Sequence, residues 1–184
     1  MFYYFGYGSN MSLVSLRIKG VRPHKSLPAR LPGWRLRFNV HHWFRHEGGV
    51  GNICPSDDPN DEVRGVVHRC DDEHMALMDA VESYGVGYDR INVDVETEEG
   101  TVQAVAYVGM PGYLDDSCLP TQRYLNILMK GAVAAGIDEA YIEFGGDKSA
   151  PFIKHSRTGI QQILSNLVSN AIRYTPPGGK VSID

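Results

Sequence analysis

Tyr4-Phe5-Gly6-Tyr7-Gly8-Ser9-Asn10 decides how this chain is read. Phe2 to Tyr7 is aromatic and β-prone, and it runs directly into a turn that holds two glycines. Gly6 and Gly8 carry no Cβ, so the backbone can bend sharply there and come close to a ligand. The amides of Gly8, Ser9 and Asn10 can then point at an anionic oxygen, which makes the strand end a small oxyanion or carboxylate receptor. Taken alone, the same wording also fits an ordinary glycine-rich turn after an edge strand.

Outward from that turn the chain is rich in strands. Trp34 to Val40 alternates apolar and polar residues with period two, and Val50 to Cys54 and Glu62 to Arg69 do likewise. Tyr88 to Thr97 and Thr101 to Val108 flank Glu98-Glu99-Gly100, a loop short enough for a hairpin. At least six strands are therefore expected. Ser12 caps a short helix that Gly20 stops after Lys19. Asp71 or Asp72 opens another, in which Met75, Met78 and Val81 recur at helical spacing until Gly85, and Glu82 falls in its last turn. A longer helix is predicted from Thr121 to Ala135, with Gly136 as its stop and Tyr124, Ile127, Leu128 and Val133 as its apolar face. One or two further helical turns are expected over 138–144. Runs of strands with few, mostly late helices define an α+β fold rather than an alternating one.

The 184 residues, 42% of them hydrophobic, suffice for one buried core. No run of about 18 apolar residues offers a membrane span, and the start lacks the features of a leader, so a cytoplasmic protein is expected. Cys54, Cys70 and Cys118 are odd in number and widely separated, which suggests free thiols. His24, His41, His42 and His46 have no carboxylate at ligand spacing, so no metal is expected. Residues 1–50 hold eight Lys/Arg and one acidic residue, against ten and 21 in the remainder. Overall acidity argues against nucleic acid as a partner, and a local positive field suits a small dicarboxylate-like substrate.

The opening stretch followed by Met11 resembles the Y-F-x-Y-G-S-N-L/M signature of the γ-glutamylcyclotransferase superfamily. Gly48-Gly49-Val50-Gly51-Asn52-Ile53 is similar to that family's Gly-Gly strand. Asp61-Glu62-Val63-Arg64-Gly65-Val66-Val67 is similar to its D/E-V-x-G-V-V strand, and Leu77 to Gly85 to the segment that carries its catalytic glutamate. The resemblance spans about residues 1–145. It implies a small mixed β-barrel with flanking helices over a domain at 1–150. It also implies that an N-terminal γ-glutamyl group is cyclised to 5-oxoproline, without water as nucleophile and without cofactor. Glu82 would be the acid and base in that reaction. Tyr4, Phe5, Gly6, Tyr7, Gly8, Ser9, Asn10 and Tyr141 would bind the substrate, although Tyr141 fits a packing aromatic equally well. A homodimer is reasonable on the same ground.

The residues themselves fit such chemistry. One carboxylate can take the proton from the attacking amine and hand it to the leaving amine, and burial beside Val81 and Tyr84 would tune Glu82 for that task. Asp79, three residues earlier, is the rival carboxylate. The Gly-Ser-Asn wording resembles the branch acting on γ-glutamyl amino acids more than the glutathione-degrading branch, which commonly reads Gly-Ser-Leu. Two other functions stay open: removal of a γ-glutamyl protecting group from a biosynthetic intermediate, and a non-catalytic binding or interaction module on the same fold.

Gln161 to Gly179 resembles the N-box of sensor histidine kinases. The glycine-rich boxes that would close over a nucleotide are missing, so no ATP site is expected in the 157–184 segment. Physically it is an amphipathic helix ended by Pro176-Pro177-Gly178-Gly179, which makes 151–184 a helical appendage with a structural role.

Overall fold

The computed structural model describes residues 1–41, 48–137 and 141. The chain divides into two units, Met1–Asp147 and Lys148–Asp184, and the description concerns the first. The kinase-like segment at 157–184, the appendage at 151–184, His42 and His46, and all of the turn expected over 138–144 except Tyr141 lie outside the described residues.

Among the described residues the strands are β1 (Phe2–Gly6), β2 (Lys25–Pro32), β3 (Trp34–His41), β4 (Gly49–Pro55), β5 (Glu62–Cys70), β6 (Tyr88–Thr97) and β7 (Gly100–Gly109). Among the described residues the α-helices are α1 (Leu13–Ile18), α2 (His74–Glu82) and α3 (Gln122–Ala134). β1, β5, β2, β6 and β7 close into a barrel in that order, while β3 and β4 form a separate two-stranded ribbon. The barrel is mixed: its pairs are antiparallel except β1 with β7, which meet in parallel at Tyr4 and Val105. This is the α+β barrel with flanking helices that the sequence implies.

β2 is the strand the sequence hides. Pro28 and Pro32 read as breakers because proline cannot donate to a ladder. β2 nonetheless runs its whole length along β5, and its ladder to β6 is paired only where Arg30 faces Glu96, so on that side it behaves almost as an edge, where a missing N–H costs little.

Alternation along β1 sorts its aromatic side chains. Phe5, wholly buried, points into the barrel with Leu31, Val63, Val67 and Val95, and Tyr7 joins this cluster beyond the strand end. Tyr4 points the other way, into a second cluster with Leu16 of α1, Met78 of α2 and Tyr124 of α3. A third cluster, Met11, Val66, Ala132 and Ile137, seats the turn after β1 against α3. Met11 is thus pinned on one side by Val66 of the barrel wall and on the other by Ala132 of α3.

The helix boundaries follow local chemistry, with two differences from expectation. α2 opens after Glu73 rather than on a side chain of Asp71 or Asp72; the carbonyls of those two residues accept from His74 and Met75 N–H. It stops at Glu82 because Ser83 adopts a left-handed conformation, φ 52°. In α3, Thr121 caps the start by accepting from Tyr124 N–H, and Gly136 with φ +73° ends it. Its buried face is Tyr124, Leu125, Gly131 and Ala132, and Val133 is exposed. Helix and turn approach so closely that a Cβ on Gly131 would lie 3.3 Å from Met11 Cβ, and this rotates α3 away from the face expected.

Candidate active site

The turn after β1 is closed by its own backbone. Met11 N–H donates to the Gly8 carbonyl at 3.0 Å, which leaves the amides of Gly8, Ser9 and Asn10 with no acceptor among the described residues. The glycines make room for the protein's own atoms. A Cβ on Gly6 would lie 2.9 Å from the Asn10 carbonyl oxygen, and one on Gly8 would lie 2.9 Å from the Tyr124 hydroxyl. That hydroxyl accepts from Gly51 N–H at 2.9 Å, and the Tyr88 hydroxyl donates to the Gly51 carbonyl at the same distance. Two tyrosines therefore hold β4 beside the turn.

Beneath the turn lies a histidine that the sequence did not single out. The Asn10 carbonyl can only accept, so His68 Nε2 carries the proton of their 3.0 Å bond, and Nδ1 accepts from the Ser26 hydroxyl at 2.8 Å. His68 is wholly buried, and that burial pushes its pKa from 6.5 to about 4, although the bond to Asn10 pulls the other way. Because the unfolded chain binds this proton first, stability is complete above pH 6.5 and falls as the pH drops from there toward 4. The full loss is on the order of 3 kcal/mol. His68→Gln keeps a donor for Asn10 without the charge. Its denaturant-unfolding free energy should vary less between pH 6.5 and 4 than that of the parent; equal slopes would refute this role.

Glu82 reaches the turn from the end of α2. Asn10 Nδ2 donates to Glu82 Oε1 at 2.7 Å and to the Tyr4 hydroxyl at 2.8 Å, so both protons of the amide are used. Lys19 Nζ donates to Asn10 Oδ1 and lies 4.0 Å from Glu82 Oε1. The Glu82 side chain is only 17% exposed. Its seclusion comes from Asn10, Lys19 and Tyr4. Tyr84, expected to bury it, is exposed and stacks its ring on the Arg90 guanidinium at 4.2 Å. Burial first, and the charge of Glu82 second, hold the Tyr4 hydroxyl far above its ordinary range, so it stays a neutral phenol. No acceptor among the described residues takes the Tyr4 proton.

Asp79, the rival, is engaged elsewhere: it accepts from the Tyr107 hydroxyl at 2.8 Å and pairs with Arg90 at 3.4 Å. Burial, followed by that bond to Asp79, raises the Tyr107 pKa as well.

The structure thus brings Tyr4, Gly8, Ser9, Asn10 and Glu82 together. Phe5 and Tyr7 are turned into the barrel cluster, where the Tyr7 hydroxyl donates to the Tyr107 carbonyl, so their side chains support the turn from behind. Tyr141 stands apart. Its hydroxyl accepts from Arg64 N–H at 2.9 Å, and Arg64 also lies over its ring. Arg64 is four residues along β5 from His68, roughly 13 Å at the strand rise. A cleft of about 590 Å³ also lies away from Glu82, against Arg30, Arg64, Glu96, Glu98 and Thr101. Its arginines are already paired, Arg30 with Glu96 at 2.7 Å and Arg64 with Glu62 at 2.7 Å. Among the described residues no three His, Cys, Asp or Glu side chains gather as metal ligands, and no helix is long and apolar enough to cross a membrane.

Lys19 and Tyr107 escaped the sequence reading as well. Tyr107 gave no sign beyond its place in an alternating strand. Lys19 looked like any basic residue at a helix end.

A closed mixed barrel, with a carboxylate only 17% exposed beside backbone donors that have no acceptor among the described residues, defines a small α+β barrel protein. Residues 4–126 match the family model for gamma-glutamyl cyclotransferase, AIG2-like proteins, and the chain belongs to that family. It is similar to the crystal structure of uncharacterized protein loc79017 from Homo sapiens, with 30% identity and a TM-score of 0.66 over 77% of this chain and 84% of that one. A gamma-glutamyl cyclotransferase structure matches with 25% identity and a TM-score of 0.68 over 90% and 98% of the two chains. A yeast gamma-glutamyl cyclotransferase specific to glutathione shares the fold, with 15% identity and a TM-score of 0.52 over 88% and 96%. No curated protein sequence matches the chain.

Proposed function

We propose that the protein is a γ-glutamylcyclotransferase that releases 5-oxoproline and a free amine from γ-glutamyl amino acids or peptides, with Glu82 as acid and base. One observation carries this reading: the carboxylate of Glu82 is bonded at 2.7 Å to Asn10, the last residue of a turn whose three amides have no acceptor among the described residues. A proton carrier and a set of anion donors therefore share one place.

In the proposed reaction the turn amides hold a glutamyl oxygen, and the flexible glutamyl chain folds so that its α-amine faces the γ-carbonyl. The amine lone pair forms the new C–N bond while the carbonyl π electrons move onto oxygen. The neutral phenol of Tyr4, whose proton has no described acceptor, is a donor for that oxyanion, as are the amides. Glu82 takes a proton from the attacking nitrogen and delivers it to the leaving nitrogen. The old C–N bond then breaks, and the carboxylate is restored.

For the amine released, the Asn10 wording favours γ-glutamyl amino acids over glutathione. Both amide protons of Asn10 are already used, so its influence would pass through the placing of Glu82 rather than through a direct bond to substrate. Side-by-side assays of 5-oxoproline release should give a higher kcat/KM for γ-glutamyl-alanine than for glutathione. Faster consumption of glutathione would overturn the substrate assignment and leave the reaction type standing.

A further inference from the structure

Nothing in the proposed reaction uses Lys19, yet its position is built. Its amide closes on the carbonyls of the last turn of α1, and Gly20, at φ +83°, turns the chain back immediately afterwards. The ammonium ends 2.5 Å from Asn10 Oδ1 and 4.0 Å from Glu82 Oε1, with the lysine side chain only 16% exposed.

An asparagine amide donates from one side and accepts on the other, and its two orientations have nearly the same shape. In one orientation Nδ2 meets the Glu82 carboxylate and the Tyr4 hydroxyl. In the other, Oδ1 would face the carboxylate, setting acceptor against acceptor, and Nδ2 would face the ammonium, setting donor against donor. Lysine has donors and no acceptor, so it accommodates Oδ1 alone. The ammonium and the ionised carboxylate therefore select the same orientation, and the ammonium alone keeps selecting it while Glu82 carries the proton in transit, because a carboxylic acid can donate as well as accept. Tyr4 cannot decide it, because a hydroxyl can donate or accept and tolerates both orientations.

We propose that Lys19 is the positioning residue of this site: by fixing the orientation of the Asn10 amide it holds the Glu82 carboxylate where the reaction needs it. This rests on Glu82 being the acid–base group. It assigns the Asn10 side chain, though not its backbone amide, to the enzyme's own carboxylate rather than to the substrate, and it makes the Lys19, Asn10 and Glu82 contacts a single unit.

The test is a double-mutant cycle with a structural readout beside it. Lys19→Met should lower kcat for γ-glutamyl-alanine by about tenfold with KM nearly constant, because a small misplacement of a catalytic group costs rate rather than binding. Lys19→Gln, which keeps a donor for Oδ1, should lose less, about threefold. In an Asn10→Ala background the Lys19→Met change should have little further effect, since residues acting as one unit are not additive. An equal loss in both backgrounds would overturn the proposal, and so would a loss confined to KM. In proton–nitrogen NMR spectra of the free protein, the Asn10 side-chain NH2 pair should be well separated and slow to exchange, and should exchange measurably faster in Lys19→Met, where Oδ1 has lost its donor. An unchanged pair would refute the orienting role. If the parent releases no 5-oxoproline from any γ-glutamyl compound, the proposed reaction fails, and the NMR comparison still decides the role of Lys19.

Discussion

Glu82→Gln should lower the rate of 5-oxoproline release by about 10² to 10⁴, the usual worth of a positioned acid–base group. The substitution keeps the shape of the side chain, and its amide oxygen can still accept from Asn10 Nδ2, the 2.7 Å bond that ties α2 to the turn. Folding and substrate affinity should therefore survive while proton transfer is lost. The informative control is Asp79→Asn, three residues earlier on the same helix. Asp79 bonds to Tyr107 and Arg90 and has no bond to Asn10, so its amide variant keeps an acceptor for the Tyr107 hydroxyl and should lose less than about tenfold. Were the two losses reversed in size, Asp79 would be the proton carrier. Circular dichroism and the denaturation midpoint of both variants separate chemistry from misfolding.

Gly65→Ala should produce a large loss of stability. Gly65 lies on β5 against the end of β1, where a Cβ would stand 2.5 Å from the Gly6 carbonyl oxygen and 2.8 Å from the Phe5 ring. The first of these is backbone and cannot rotate away. Overpacking of this kind costs about 1 to 3 kcal/mol, and the upper part of that range applies because β1 must move. For a chain of this size the melting temperature should fall by roughly 4 to 10 °C. The strain also falls on Gly6, the residue that leads into the turn, so activity at a permissive temperature should drop as well. Calorimetry that found a melting temperature within about 1 °C of the parent would show that β1 and β5 have slack the structure does not contain. A full melting shift with unaltered kcat would show instead that the turn is decoupled from the barrel wall.

Much of this arrangement was written locally in the chain. Alternation of apolar and polar residues marked β3, β4 and β5, and the short glycine-containing loop between β6 and β7 marked their hairpin. The aromatic run Phe2 to Tyr7 gave β1 in the same way. β2 was lost because Pro28 and Pro32 are local signals against a strand, whereas its existence depends on β5, more than thirty residues further on. The resemblance of the first turn and of the Leu77 to Gly85 segment marked Asn10 and Glu82. Their contact bridges 72 positions, and no period or spacing reports it. Gly6 and Gly8 were read as openings for a ligand, and the structure shows what they accommodate directly: the Asn10 carbonyl and the Tyr124 hydroxyl. A missing Cβ announces that something comes close without saying what. His68 and Lys19 escaped for a related reason. One looks like a residue of an alternating strand and the other like a helix end until the fold aims both at Asn10.

The central claim is that the turn and Glu82 form one substrate site, and a crystal structure of Glu82→Gln with γ-glutamyl-alanine tests it most directly. The account predicts a carboxylate or carbonyl oxygen of the glutamyl group on the amides of Gly8, Ser9 and Asn10. It also predicts the glutamyl α-nitrogen within hydrogen-bond reach, about 3 Å, of the side chain at position 82. A ligand seated instead in the cleft between Arg30 and Glu98, or one at the turn whose α-nitrogen faces away from position 82, would contradict it.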